Sequence, residues 1–130
     1  MSLPKILIID DEESIKRTLD LVLNSQFTVF LATTYADGHR IALKYKPDCI
    51  ILDVLFSNGE NGLEMCRKMK GDVRVKNIPI IVYTCKRSNA DHVKVLNLGA
   101  EDYIESPCDR DVFIAHVKKA IDQNRKKKKK

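Results

Sequence analysis

Hydrophobic positions along the chain follow two alternating patterns. Short segments are almost continuously apolar, which is typical of strands buried on both faces of a sheet. Between them, apolar residues recur every three or four positions, which indicates amphipathic helices. The pattern predicts strands at 5–9, 27–31, 49–52, 79–83 and 102–105. It predicts helices around 15–23, 35–45, 63–69, 88–98 and 109–121.

Turn-forming and capping residues separate these elements. Pro47 and Gly99 follow predicted helices, Asp109 is a suitable helix cap, and 57–62 is rich in Asn and Gly. Because strands alternate with helices through the whole length, we expect parallel strands joined by crossover helices. The predicted fold class is therefore α/β, with a five-stranded parallel sheet covered by helices on both faces.

Charge divides the chain into two parts. The 130 residues carry a formal charge of +5, but 125–130 are six consecutive cations, and 1–124 hold 17 basic against 18 acidic residues. We predict one domain at 1–124 and a basic tail at 125–130 that could begin a linker. The nearly neutral domain is not expected to bind nucleic acid directly, although the tail could do so weakly and without sequence preference. No apolar run approaches the roughly 20 residues of a membrane helix, so we expect a cytoplasmic protein without a membrane partner.

Cysteine and histidine spacing gives no sign of a zinc site or a disulfide framework. Cysteines stand singly at 49, 66, 85 and 108, and reduced thiols are expected. His39, His92 and His116 are also isolated, and we interpret them as surface residues.

Acidic residues follow two of the predicted strands. Asp10, Asp11 and Glu12 come after the first strand, and Asp53 ends the third. The carboxyl ends of parallel strands share one edge, so these carboxylates should converge there and repel one another unless a cation is bound. Mg²⁺ suits such a cluster. The alternative is that each acid only caps a strand end or a helix start.

A hydroxyl is predicted at the same edge, because Thr84 follows the fourth strand. It could equally be an ordinary threonine at a strand end. Together with a cation and an Asp that can act as covalent acceptor, it suggests phosphoryl-transfer chemistry.

Four segments in order then resemble one known family. They are Ile6 to Glu12, Pro47 to Asp53, Pro79 to Thr84, and Gly99 to Ile104 before Pro107. Over 5–123 the chain is similar to a response-regulator receiver domain, the phosphoacceptor module of two-component signalling. The resemblance implies a flavodoxin-like, doubly wound sheet with strand order 2-1-3-4-5.

The resemblance also implies a role for individual residues. Asp53 resembles the phosphorylated aspartate, and Asp10 and Asp11 resemble the acidic pair at the metal, with Asp11 and Asp53 as direct Mg²⁺ ligands. The backbone carbonyl of Leu55 would be a further ligand, and Thr84 resembles the hydroxyl that turns toward the phosphoryl group.

Further implications concern partners and switching. Tyr103 resembles the aromatic residue whose inward or outward rotamer reports phosphorylation. A histidine kinase or phosphotransfer protein would supply the phosphoryl group, and an output domain or downstream protein would read it. The fourth helix, last strand and last helix are a candidate dimer surface. Such a module is not an enzyme with a turnover substrate of its own.

Two departures from the family pattern affect the site. Ser106 stands where the family has a lysine before Pro107, so the pocket lacks one positive charge; Lys86 could partly replace it, although a solvated lysine is the simpler interpretation. The loop after Asp53 lacks the usual proline and is one residue longer. We favour a working phosphoacceptor with altered kinetics over the alternative, a degenerate receiver that acts through protein contacts alone.

Three other classes with related chemistry do not match. A haloacid-dehalogenase-type phosphatase would need a second acid two residues after its nucleophile and then a threonine or valine, and neither the segment from Asp10 nor the one after Asp53 has that full pattern. A flavin-binding flavodoxin needs a Ser/Thr/Gly-rich loop after the first strand, where this chain has acids. The GxxxxGK[ST] pattern of a P-loop is also absent from the sequence.

Overall fold

The computed structural model describes residues 3–53, 62–84, 96–97, 99–105 and 109–128. Its centre is a five-stranded sheet in which every neighbouring pair of strands is parallel. The strand order is β2-β1-β3-β4-β5, which confirms the predicted topology. The strands are β1 (Lys5–Ile9), β2 (Thr28–Ala32), β3 (Cys49–Leu52), β4 (Ile80–Thr84) and β5 (Asp102–Glu105).

Helices cover both faces of this sheet, as expected for parallel strands joined by crossovers. The helices of the described ranges are α1 (Glu13–Leu23), α2 (Tyr35–Tyr45), α3 (Gly62–Gly71) and α4 (Arg110–Lys128). The predicted helix at 88–98 lies outside the described residues, apart from 96–97, which are helical. Gly99 follows with φ of +103° and donates its N–H to the Leu96 carbonyl, consistent with its predicted place after a helix.

Alternate residues of the central strands are buried on opposite faces. Leu7, Ile50 and Val82 pack with α2 and α3 on one face. Ile8 and Ile51 pack with α1 and α4 on the other. Both clusters are shielded from water, which explains why these strands have continuous rather than alternating apolar sequences.

Two strands lie one residue later than predicted, β2 at 28–32 instead of 27–31 and β4 at 80–84 instead of 79–83. Phe27 lies outside β2 because its N–H donates to the Leu23 carbonyl, in a turn that continues α1. Pro79 lies outside β4 because it has no N–H for the ladder, although its carbonyl accepts from Ile50 at 2.9 Å. Hydrophobicity alone does not distinguish such flanking residues from the strand itself.

The interpretation of the histidines as isolated surface residues was wrong for two of them. His39 on α2 is half-buried and lies 3.0 Å from Asp72, and His116 on α4 is partly buried against Asp102. These contacts join elements that are distant in sequence, so local spacing could not reveal them. Cys49 and Cys66 are buried free thiols, as expected; His92, Cys85 and Cys108 lie outside the described residues.

No helix among the described residues has both the length and the apolar character needed to cross a bilayer.

Candidate metal centre

Strand register brings the two acidic segments together. Ile9 in β1 pairs with Ala32 on one side and with Leu52 on the other. The next residues extend both ladders, since the Asp10 N–H donates to the Ala32 carbonyl and the Asp53 N–H to the Ile9 carbonyl, each at 3.0 Å. Asp10 and Asp53 are therefore held side by side at the carboxyl edge of the sheet.

Three carboxylates meet at this edge. Asp10, Asp11 and Asp53 each offer one oxygen, and these oxygens lie within 4.8 Å of one another. Asp10 is buried, with 4% of its surface exposed, whereas Asp11 and Asp53 are half-buried. The predicted convergence of the acids on one edge is confirmed. The alternative, that each acid only caps a strand end or a helix start, describes one contact: the Asp10 carboxylate accepts a hydrogen bond from the Glu12 N–H at 2.9 Å. It does not explain why the three carboxylates meet.

Burial makes the ionised form of Asp10 costly. Desolvation raises its pKa from the ordinary value of 3.8 to about 6, and the negative charges of Asp11 and Glu12 act in the same direction. The hydrogen bond from the Glu12 N–H and the positive charge of Lys16 oppose this rise. A bound cation would relieve the repulsion, and three carboxylate oxygens at this spacing are the hard donors that a divalent cation such as Mg²⁺ prefers. The three carboxylates therefore fit a bound Mg²⁺ ion.

Lys16 is a site residue that the sequence analysis missed. Lys16 and Asp10 are the two buried charged residues of the described part of the chain. The Lys16 ammonium donates to Glu13 at 2.6 Å and to the hydroxyl of Thr33, which follows β2. A signal was present, because Lys16 lies three and seven residues before Leu19 and Leu23, on the face that α1 buries.

Removing this charge should raise the pKa of Asp10. We expect the Asp10 carboxyl of a Lys16→Met variant to titrate above the wild-type value of about 6, because the nearby ammonium no longer favours the carboxylate. Carboxyl-carbon NMR across the pH range measures this directly. Lys16→Arg, which keeps the charge, should titrate like the wild type, and identical titrations of all three proteins would contradict the assigned role.

Tyr35 is a second residue that the sequence did not identify. It begins α2, is 8% exposed, and donates its hydroxyl to the Asp53 carbonyl at 2.9 Å. The main chain of Asp53 is thus held on both sides, by Ile9 and by Tyr35. An aromatic residue at a helix start is usually a core residue, so the sequence offered no sign of this contact.

The other predicted site residues are only partly described. Thr84 ends β4 opposite Glu105, which places its backbone at the carboxyl edge, while its side chain lies outside the description. Leu55, Lys86 and Ser106 also lie outside the described residues. Tyr103 pairs with Val82 and is 7% exposed, with its side chain in the core cluster beside α2 and α3. This is the inward orientation of the two that were anticipated.

Comparison with known proteins agrees with the family resemblance of the sequence. The model of the response regulator receiver domain family matches residues 6–118. The transcriptional regulatory protein AfsQ1 of Streptomyces coelicolor is 32% identical over 92% of this chain and 52% of its own length. The response regulator ArlR of Staphylococcus aureus is 36% identical over 88% of this chain and 51% of its own length.

A solved structure agrees in fold and in sequence. The signal receiver domain of a signal transduction histidine kinase from Syntrophus aciditrophicus matches with a TM-score of 0.81 and 30% identity, over 92% of this chain and 91% of that one. The chain spans about half the length of the curated relatives it matches.

Proposed function

The chain belongs to the response-regulator receiver family, and we propose that it accepts a phosphoryl group on Asp53 from a histidine kinase or a phosphotransfer protein. The observation that supports this most directly is the cluster of Asp10, Asp11 and Asp53 at the carboxyl edge of the sheet. Ligand sites of open α/β sheets lie at this edge, where the strand order reverses. Here the reversal falls between β1 and β3, the strands that present the acids.

Asp53 is better placed than its neighbours to be the phosphoacceptor. Asp10 is almost completely buried, so its carboxylate is shielded from an incoming phosphoryl group. Asp53 is half-buried at the edge, with its main chain fixed by Ile9 and Tyr35. A fixed main chain presents the carboxylate to an incoming phosphoryl group in a defined orientation.

We assign the cation site to Asp11 and Asp53 as direct ligands, with Asp10 behind them and the Leu55 carbonyl as a further ligand. When bound there, Mg²⁺ would neutralise charge on the phosphoryl oxygens. The three carboxylates supply the oxygen donors this requires. In this proposal, the buried Asp10 orients the cluster.

The transfer itself is a displacement at phosphorus. An oxygen of the Asp53 carboxylate forms the new O–P bond as the P–N bond of a phosphohistidine breaks, and the leaving imidazole keeps the bonding electron pair. Hydroxyl donors would come from Thr84 and from Ser106 in place of the usual lysine. Because the group is transferred to the protein itself, the domain acts as a signalling module without a turnover substrate.

Phosphorylation would then change a surface around β5, at the end of the sheet. We assign the switch to Tyr103, whose inward side chain would correspond to one of its two states. An output domain or a downstream protein would read the change. The surface formed by the predicted helix at 88–98, β5 and α4 could support a dimer. The proposed location is the cytoplasm, where a histidine kinase would phosphorylate it.

Intact-mass spectrometry after incubation with acetyl phosphate and Mg²⁺ tests the proposal. The wild type should gain one phosphoryl adduct, and the Asp53→Asn variant should gain none because the amide is not nucleophilic. Chelating the Mg²⁺ should greatly reduce the wild-type adduct.

Asp122→Asn is the matched control, because Asp122 is an exposed aspartate on α4. Its adduct should equal that of the wild type. If the wild type gains no adduct from acetyl phosphate or from a cognate kinase, the phosphoacceptor assignment is wrong and an interaction module takes its place.

A further inference from the structure

The two outermost strands of the sheet differ in how they are protected against pairing with another strand. Natural edge strands usually carry charged residues, prolines or bulges that prevent such pairing. β5 has an acid at each end, Asp102 and Glu105. β2 has no charged residue, and 21–36 around it contain none either, although 32% of the chain is charged. It pairs with β1 along its whole length without a bulge, so β2 is a regular and uncharged edge.

The outer side of β2 presents backbone groups to which a further strand could bind. Its end residues face β1, since the Thr28 N–H donates to the Pro4 carbonyl and the Ala32 carbonyl accepts from the Asp10 N–H. Alternate residues of a strand point their backbone groups to opposite sides, so those of Val29 and Leu31 point away from β1. Among the described residues, β1 is the only strand that pairs with β2.

A second copy of β2 can satisfy these groups across a twofold axis. If the axis passes beside Phe30 and the copies run antiparallel, Val29 of each copy lies opposite Leu31 of the other. Residues paired in this way exchange both of their backbone hydrogen bonds. Leu31 is 42% exposed, so this side of the strand is open to solvent and its apolar side chain would be covered in the pair.

The helix α2 lies beside β2 and runs in the opposite direction. It begins at Tyr35, whose hydroxyl donates to the Asp53 carbonyl at the carboxyl edge of the sheet. It ends at Tyr45, whose ring stacks on the Phe30 ring with centroids 4.7 Å apart. A twofold axis beside Phe30 would therefore also bring the α2 helices of the two copies together in antiparallel orientation.

Charges on this side of α2 complement themselves in such a pair. Asp37, Ile41 and Lys44 follow the i, i+4, i+7 spacing of one helix face, and Ile41 precedes Tyr45 by one turn, so this face borders β2. Asp37 and Lys44 are exposed and lie about 10 Å apart along the helix, on either side of Ile41. In the antiparallel pair, Asp37 of each copy faces Lys44 of the other. The present ion pair of Asp37, 3.4 Å from Arg40, is exposed and therefore weak.

We infer that two copies of this chain associate through β2 and α2 into one continuous sheet. The partner that fits is a second copy, because β2 complements itself in hydrogen bonding and α2 complements itself in charge. The neighbouring helix α1 carries both signs, Arg17 and Asp20, and adds no net charge to the contact. The copies run antiparallel, so their acidic clusters point in opposite directions and both stay accessible. This surface is separate from the one around β5 and α4, and the inference does not depend on phosphorylation of Asp53.

Sedimentation equilibrium of the full chain at several concentrations tests this inference. The wild type should show an equilibrium between monomer and dimer. Leu31→Lys should weaken dimerisation by about tenfold or more, because the two new ammonium groups lie on one face of the joined sheet and repel one another. In amide hydrogen exchange followed by NMR, the N–H groups of Val29 and Leu31 should become more protected as the concentration rises. The N–H of Phe30, which faces β1, should not change.

Exchanging the two charges of α2 tests the identity of the partner. Asp37→Lys and Lys44→Asp should each weaken the dimer, because each variant sets like charges opposite one another. The double variant should restore the dimer, since it recreates the same pair with the signs reversed. Only a partner that carries the same two substitutions gives this rescue. Circular dichroism of each variant checks that the fold is retained.

Val112→Lys is the matched control. Val112 is 47% exposed on α4, which packs on β3 and β5 rather than on β2, so this variant should dimerise like the wild type. Three results would overturn the inference: a monomer at all concentrations up to about 1 mM, equal weakening by Val112→Lys, or a double variant that dimerises no better than the single variants. Acetyl phosphate labelling of Asp53 in the same samples reports separately on the proposed function.

Discussion

An Asp10→Asn variant is expected to be more stable than the wild type at pH 7 in the absence of metal, by up to roughly 3 kcal/mol, which is the energy of the pKa rise. Folding buries the Asp10 carboxyl and raises its pKa from 3.8 to about 6. Above pH 6 the folded wild type must keep a carboxylate in an environment that disfavours charge. Asparagine avoids this cost and can still accept the hydrogen bond from the Glu12 N–H.

Because folding raises the pKa of Asp10, the difference in stability between the wild type and Asp10→Asn should depend on pH. Below pH 3.8 the carboxyl is protonated in both states, so its ionisation contributes no difference between the variants. Between pH 3.8 and about 6 the unfolded chain ionises first, so the wild type loses stability relative to the variant as the pH rises. Above about pH 6 the difference should be constant. Urea unfolding followed by circular dichroism at several pH values measures it.

Addition of Mg²⁺ should favour the wild type. A ligand that binds only the folded state stabilises it, and loss of a residue supporting a metal site weakens the affinity about tenfold to a hundredfold. The wild type should therefore gain more stability from Mg²⁺ than Asp10→Asn does. Asp122→Asn, on the exposed side of α4, should resemble the wild type in both conditions. A metal-free Asp10→Asn protein that is less stable than the wild type at pH 7 would contradict this explanation.

Truncation of Phe113 is expected to give the largest loss of stability. Phe113 is 2% exposed and belongs to the core cluster through which α1 and α4 pack against the sheet. Its ring meets the Tyr83 ring edge to face, with centroids 5.1 Å apart. Phe113→Ala should lower the free energy of unfolding by about 3–5 kcal/mol, because it removes buried apolar surface and leaves a cavity.

Val112 provides a control at the adjacent position. It lies on the same turn of α4 but is 47% exposed. Val112→Ala should change the free energy of unfolding by less than about 0.5 kcal/mol, because a surface substitution removes few contacts. Chemical denaturation of both variants compares them directly. If both variants lose a similar free energy of unfolding, the burial of Phe113 does not stabilise the fold.

Much of the fold could be predicted because the relevant signals are local. Continuous apolar runs identified the central strands, and the spacing of Phe113, Val117 and Ile121 identified the buried face of α4. The alternation of strands and helices then implied a parallel sheet. The strand order came from the family resemblance, since periodicity does not specify which strands are neighbours.

The candidate site was predictable for a related reason. Two of the acids, Asp10 and Asp53, directly follow the last residue of a strand, and Asp11 comes one residue later. Parallel strands bring such positions to one edge of the sheet. The sequence could not give the burial of Asp10 or the orientation of Tyr103. Both depend on how closely neighbouring elements pack.

The sequence by itself therefore determined the elements, the fold class and the acidic edge, because each depends on short-range patterns and on the common direction of the strands. Only the tertiary structure showed the contacts of Lys16 with Thr33 and of Tyr35 with Asp53. It also showed that Tyr45 of α2 stacks on Phe30 of β2. These groups lie on different elements and meet only when helices pack on the sheet, so no local pattern in the chain encodes their proximity.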